Sequence, residues 1–428
     1  YIYLMRTFYF VLGLVFLTGT LWGQKISDRR LLRQIKNIPS LSNAYIGVHV
    51  ESLEKDIALA GIHEAQYFTP ASNTKLLTFL GAIQTFPKLP VLEYAFENDS
   101  IAHFKSTAYP LLLHPFYSDS LFFEFFNQKS IWKYYPPTTS PKRLGSGWSW
   151  DDYHYYYAAS SSVFPIYGNT VQGVLKDGRP ELVPAFTVSQ DTTVKNLERK
   201  LQSNTFQYHP QNWKENDTIY RPFIPSDSLF VELLARATEK EVLFDLQTND
   251  SLNWKTLFTE QEPLLYKGLL QDSDNGIAEA LLLMIANKEN GQFLPEIAID
   301  KLQKQWESWL PDPLEWVDGS GVSRYNMFTP RSIVAVLQQV DHSLSWDVLT
   351  AYFPESGISG TLNDYPDLKN VYAKTGTLRH NHNLSGYWLN SKGERFVFSI
   401  MVNHYTAPTA EIRKGITELI TWLQKKVK

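Results

Sequence analysis

Apolar and polar positions alternate along residues 44–51 and again along 57–62, the period of two expected of a half-buried strand. A polar turn around Glu54 and Lys55 joins them into a hairpin. The period then changes. Leu76-Leu77-Thr78-Phe79-Leu80 follows Thr69-Pro70-Ala71-Ser72, which predicts a helix entered through a capped N-terminus. Between about 87 and 263 the chain is rich in aromatic residues, Ser, Thr, Asn and Pro, with short alternating segments at 181–189 and 228–233. That stretch reads as inserted β-rich material. From Ser273 helical periodicity dominates, at 275–287, 296–310, 330–340 and 408–427, with strand candidates at 383–389 and 395–402. The simplest assembly is an α/β (α+β) fold: an antiparallel sheet flanked by N- and C-terminal helices, with a helical cluster beside it.

Composition narrows the function classes. With 428 residues, the chain is long enough for two or three domains. Its 43% hydrophobic and 20% charged residues are ordinary for a globular protein. A net charge of -4 leaves no electrostatic footprint for nucleic acid. The absence of cysteine excludes disulfides, thiolate catalysis, cysteine-ligated zinc and a cysteine-linked lipid anchor. Met5-Arg6, an apolar run over 7–22 and then Gln24-Lys25 read as a secretory signal peptide covering 1–23, with the four residues before Met5 as upstream translation. This places the body of the protein in the periplasm. An uncleaved anchor is the alternative.

Three short motifs carry the candidate chemistry: Ser72-x-x-Lys75, Ser273-Asp274-Asn275 and Lys374-Thr375-Gly376. Ser-x-x-Lys also occurs at Ser52–Lys55, but there it falls in a hairpin turn with no helix behind it. At a helix N-terminus Ser72 has free N–H groups nearby, and Lys75 lies one turn along the same face. A serine hydroxyl attacks only when a base removes its proton, and a buried lysine of lowered pKa can do so. Alternatively Ser72 is a plain N-cap and Lys75 a solvated charge. Ser273 would relay a proton to a leaving amine, and Asn275 would contact Lys75 and substrate; the alternative is helix capping by Ser273 or Asp274. Lys374-Thr375-Gly376-Thr377 reads as an edge strand along a cleft, in which Gly376 permits close backbone approach. Lys374 and Thr375 would attract a substrate carboxylate, and Thr377 N–H would pair with Ser72 N–H as an oxyanion hole. An edge strand merely guarded by Lys and Thr is the alternative.

Together these motifs form the signature of serine β-lactamases and penicillin-binding proteins. The chain resembles the D-alanyl-D-alanine carboxypeptidase/endopeptidase family, the class C low-molecular-mass penicillin-binding proteins. The resemblance rests on Tyr67-Phe68-Thr69-Pro70-Ala71-Ser72-Asn73-Thr74-Lys75, on Asp318-Gly319-Ser320-Gly321-Val322-Ser323 and on Gly357-Ile358-Ser359-Gly360-Thr361-Leu362. Gly147-Trp148-Ser149-Trp150-Asp151-Asp152 with Tyr155-Tyr156-Tyr157 adds to it. The family's usual glycine-aspartate-proline turn is replaced by Leu113-His114-Pro115, and Tyr325 stands where an acidic residue is usual.

Membership would imply a penicillin-recognising, β-lactamase-like core of residues 24–88 and 263–428, with β-rich accessory material at 89–262. It would also imply peptidoglycan stem peptides as substrate, β-lactams as covalent inhibitors and no cofactor. A β-lactamase or an esterase on the same core, and a non-catalytic peptidoglycan-binding scaffold, are the rivals. The His380-x-His382 pair lacks a third ligand at a suitable spacing, so two loop histidines are expected rather than a metal site. The last helix could touch a membrane, or pack its Ile416, Leu419, Ile420 and Leu423 face on the sheet.

Overall fold

A computed structural model describes residues 25–117, 119–247 and 251–427; residues 1–23, read above as a signal peptide, lie outside them. The described chain begins with α1 (Asp28–Lys36), the hairpin β1 (Tyr45–Ser52) and β2 (Ile57–Ile62), and α2 (Lys75–Thr85). It then runs through β3 (Pro90–Phe96), β4 (Ile101–Ser106), α3 (Leu121–Phe126), β5 (Ile131–Tyr135), β6 (Thr170–Lys176), β7 (Arg179–Val183) and β8 (Val188–Gln190). Next come β9 (Leu197–Arg199), β10 (Phe206–Tyr208), β11 (Thr218–Pro222), α4 (Asp227–Thr238), β12 (Glu241–Phe244) and β13 (Lys255–Phe258). Helices α5 (Glu262–Leu270), α6 (Asn275–Asn290), α7 (Pro295–Trp306), α8 (Pro330–Ser343) and α9 (Trp346–Tyr352) follow. Strands β14 (Val371–Leu378), β15 (Asn381–Leu389) and β16 (Arg395–Asn403) and helix α10 (Thr409–Lys426) complete it.

The fold is α+β. Its central sheet, in the order β14-β15-β16-β1-β2, is antiparallel throughout, with β14 at one edge. Alternation along the strands feeds two cores. Phe396, Phe398, Ile400, Leu384 and Trp388 face α1 and α10, while Tyr387 and Val397 face the helical cluster on the other side. The Ile412, Ile416, Leu419, Ile420 and Leu423 stripe of α10 is buried in the first core, so that apolar face is covered. Among the described residues no helix is long and apolar enough to cross a membrane.

Residues between α2 and α5 build three further sheets, β12-β5-β4-β3-β13, β11-β6-β7 and β8-β10-β9. Two expectations there need correction. The 228–233 segment is part of α4: over twelve residues Phe230, Leu233 and Leu234 fall on one helical face, and Ser226 Oγ caps Leu229 N–H. Six residues were too short a window to separate the two periods. The 181–189 segment is two strands in different sheets, broken at Pro184, which has no N–H to extend a ladder.

Candidate active site

Helix α2 starts at Lys75, preceded by a 3-10 turn, Ala71–Thr74, that holds Ser72; no side chain caps either start. The predicted capped entry is therefore absent, and Ser72 is not an N-cap. Ala71 takes the left-handed conformation, φ +49°, uncommon for a residue with a Cβ. The turn is tied to the sheet by side-chain amides. Asn73 Nδ2 donates to Lys374 O at 2.8 Å, Ser385 Oγ donates to Asn73 Oδ1 at 2.9 Å, and Asn383 Nδ2 donates to Pro70 O at 2.7 Å. These bonds lock the start of α2 against β14 and β15.

Lys75 is completely buried. Its Nζ lies 3.0 Å from Ser72 Oγ, 2.6 Å from Asn275 Oδ1 and 2.6 Å from Ser320 O. Burial pulls its pKa down to about 8, opposed by the charges of Asp318, Glu279 and Asp274. A neutral amine has two N–H bonds and one lone pair. With Asn275 Oδ1 and Ser320 O accepting the two N–H bonds, the lone pair is left facing the Ser72 hydroxyl. Asn275 is itself oriented by donating Nδ2 to Tyr157 O at 2.6 Å.

Ser273 precedes α6 in the left-handed conformation, φ +61°. Asp274, not Ser273, caps the helix by accepting from Ile277 N–H at 2.9 Å. Aromatic hydroxyls from the inserted stretch grip both neighbours. Tyr117 donates to Asp272 Oδ2 at 2.8 Å, and Tyr156 donates to Asp274 Oδ2. Lys374 Nζ donates to Ser273 Oγ at 2.8 Å, which leaves the Ser273 proton available to another acceptor.

Lys374 is placed away from the cleft surface. It is fully buried, its remaining contact is to Thr375 O, and burial followed by repulsion from Lys75 holds its pKa well below the ordinary value. It does not line the cleft. A cleft of about 810 Å³ is lined instead by Ser72, Ser273, Asn275, Thr375 and Thr377, with Arg324 and Arg379 as its cations and Asp151, Asp152, Tyr155 and Tyr157 on one wall. Gly376 lies against the Ser72 turn: a Cβ there would stand 2.5 Å from Pro70 O and 3.0 Å from Ser72 N. Gly376→Val is therefore expected to push β14 off the turn and slow covalent labelling of Ser72 by an acylating probe about 100-fold, measured by stopped flow. An unchanged rate would show that the close approach is dispensable.

Sequence reasoning gave no role to Asp318 or Ser320. Asp318 Oδ1 accepts from Gly321 N–H and Asn326 Nδ2, and its Oδ2 from Ser323 N–H and Trp148 Nε1. These four bonds shape the loop that presents Ser320 O to Lys75. Glu279, buried below, accepts from Ser320 N–H at 2.8 Å; burial and then Asp318 push its pKa up to about 7. The only sequence signal was the Asp-Gly-Ser-Gly turn, in which Gly321 takes φ +81°.

Residues 260–425 match the model of the D-Ala-D-Ala carboxypeptidase 3 (S13) family. The match covers less than half of the chain. It contains Ser273, Asn275 and Lys374, while Ser72 and Lys75 lie before it. The D-alanyl-D-alanine carboxypeptidase DacB of Haemophilus influenzae is 34% identical over 169 residues, which are 37% of this chain and 35% of that protein. The match thus spans about a third of the relative's length. The crystal structure of penicillin binding protein 4 from Haemophilus influenzae superposes with a TM-score of 0.72 at 19% identity, over 93% of this chain and 99% of that one. A predatory peptidoglycan endopeptidase from Bdellovibrio bacteriovorus gives 0.53 at 14% identity, over 90% and 94%. At these identities the superpositions establish the fold, which is that of penicillin binding protein 4.

Proposed function

We propose that the protein is a serine D-Ala-D-Ala carboxypeptidase/endopeptidase acting on peptidoglycan stem peptides through an acyl-enzyme on Ser72. The observation that carries this reading is the single buried amine of Lys75 bonded at once to Ser72 Oγ, Asn275 Oδ1 and Ser320 O. In the first step the Ser72 proton passes to Lys75 Nζ as Oγ bonds to the carbonyl carbon. The N–H groups of Ser72 and Thr377 stabilise the oxyanion. The C–N bond then breaks as the leaving nitrogen takes a proton from Ser273, and the proton that Lys75 took from Ser72 makes good that loss, which returns Lys75 to the neutral amine for the next step. Water attacks the resulting ester, releasing the shortened peptide and restoring the Ser72 hydroxyl.

Arg324 and Arg379, with the hydroxyls of Thr375 and Thr377, suit the carboxylate of the substrate better than the buried Lys374. β-Lactams would acylate Ser72 in the same way. The leaving nitrogen then stays tethered in the opened ring, which slows hydrolysis. The Haemophilus influenzae structure is known complexed with a β-lactam, which supports this expectation. Residues 24–88 with 263–428 would form the catalytic domain and 89–262 the accessory part, delivered to the periplasm by the segment 1–23.

Incubation with a peptide ending in D-Ala-D-Ala should release free D-alanine, detected by chromatography, and pre-treatment with penicillin should stop it. A protein that neither releases D-alanine nor takes up penicillin would overturn the reading in favour of a binding scaffold.

A further inference from the structure

His380 and His382 do not act as a pair. His380 Nδ1 faces Tyr405 O at 2.9 Å, whereas His382 lies on β15 and is fully buried, not in a loop. Among the described residues no group of three His, Cys, Asp or Glu is placed to hold a metal ion. On the central sheet His382 is directly opposite Thr377, so the two side chains share a face. Its Nδ1 lies 2.7 Å from Thr377 Oγ1, and its Nε2 lies 2.6 Å from the hydroxyl of Tyr365. Tyr365 is buried beneath, its ring nearly parallel to the imidazole at 14°.

The chemistry of these three groups selects one proton arrangement. Burial, followed by the charges of Arg413 and Lys374, pushes the His382 pKa down to about 3, so the ring is neutral and carries a single N–H. Burial likewise holds the Tyr365 phenol protonated. A buried phenol needs an acceptor for its proton, and His382 Nε2 is placed to be one. Nε2 is then the lone pair, and Nδ1 carries the N–H that Thr377 Oγ1 accepts. The Thr377 proton cannot also point at His382. It is turned toward the cleft that Thr377 lines beside Arg379 and Thr375. The opposite tautomer would draw the Thr377 proton inward and present its lone pairs to the cleft, where they would repel a carboxylate.

We propose that Tyr365 and His382 form a buried relay that fixes the Thr377 hydroxyl as a hydrogen-bond donor to the substrate's terminal carboxylate. Both are positioning residues, acting through Thr377. The inference rests on the carboxypeptidase/endopeptidase reading above for the identity of the ligand, although the proton arrangement does not.

Two measurements test it. In protein labelled with 15N-histidine, with the His382 signals assigned by their loss in His382→Gln, the ring should be the neutral Nδ1–H tautomer at pH 7. An Nε2–H tautomer or an imidazolium would overturn the relay whatever the enzyme cleaves. In the second, kcat/KM is compared between a peptide ending in D-Ala-D-Ala and its C-terminal carboxamide. Tyr365→Phe removes the donor that selects the tautomer and should lower the preference for the free acid about 10-fold, through KM. In a Thr377→Val background the same change should have no further effect. An unmoved preference in Tyr365→Phe, or an additive effect in the double variant, would refute the relay while the wild-type cleavage still stands. A wild-type protein that cleaves neither peptide would remove the functional reading, and with it the carboxylate role.

Discussion

Lys75→Ala is expected to lower the second-order rate constant for the proposed penicillin acylation of Ser72 by about 10³-fold or more near neutral pH. The expectation follows from the position of the amine, which is bonded to Ser72 Oγ and completely buried, leaving the serine no other basic group at that distance among the bonds described. The pH dependence of the wild type carries the same argument. The active base is the neutral amine, and burial lowers its pKa to about 8 against the opposing charges of Asp318, Glu279 and Asp274. Acylation should therefore rise with pH through about 8 and fall about tenfold per unit below it. An ordinary lysine, at 10.5, would leave the rate climbing far into the alkaline range. Between about 8 and 10.5 the unfolded chain binds the proton that the folded state has given up, so this residue's contribution to stability improves as pH rises through that window. A Lys75→Ala protein that still labels, or a wild-type profile flat across pH 6–9, would dismiss Lys75 as the base.

Asp318→Asn should destabilise the folded protein by about 3 kcal/mol, since at least two buried donors lose their acceptor. All four bonds to this side chain are received, two at each oxygen, from Gly321 N, Asn326 Nδ2, Ser323 N and Trp148 Nε1. An amide of the same shape must turn its NH₂ toward one of these donor pairs. A lower denaturation midpoint at unchanged slope would report the loss. A second consequence separates this residue from ordinary structural sites. Asp318 is the largest of the charges that raise the Lys75 pKa, so its neutralisation should shift the acylation profile to lower pH. The Glu279 carboxyl, relieved of a neighbouring negative charge, should titrate below about 7. Stability within about 0.5 kcal/mol of wild type would mean that the loop closes without these bonds.

The parts of the fold legible beforehand were those in which local pattern and burial coincide. The hairpin at Tyr45–Ser52 and Ile57–Ile62 and the strands Asn381–Leu389 and Arg395–Asn403 show the alternation that a sheet between two cores imposes. Helices α6, α8 and α10 carry uninterrupted apolar stripes, and their ends lie within a few residues of the periodicity. Helices α5 and α9 went unrecognised because each is short and bordered by Pro, Gly or aromatic residues that read as loop. Segment 228–233 was assigned the wrong period for the same reason: a handful of residues cannot distinguish a buried helix face from a strand.

The sequence alone determined which residues could carry chemistry, because Ser-x-x-Lys at a helix start and Lys-Thr-Gly on a strand are constrained by local geometry. Only the tertiary structure decided which groups stand against each of them. It brought Asn275 and the Ser320 carbonyl onto the Lys75 amine from segments far apart in the chain. It buried Lys374 against Ser273 and left Arg324 and Arg379 facing the cleft, and it closed aromatic hydroxyls of the inserted stretch on both neighbours of Ser273. It also took His382 out of an expected loop and set it beside Thr377 on the neighbouring strand. The physical reason is that periodicity records which face of an element is buried, but not what lies against it. Desolvation, charge and hydrogen-bond partners come from that opposite surface, and these are what set a pKa or the direction of a proton.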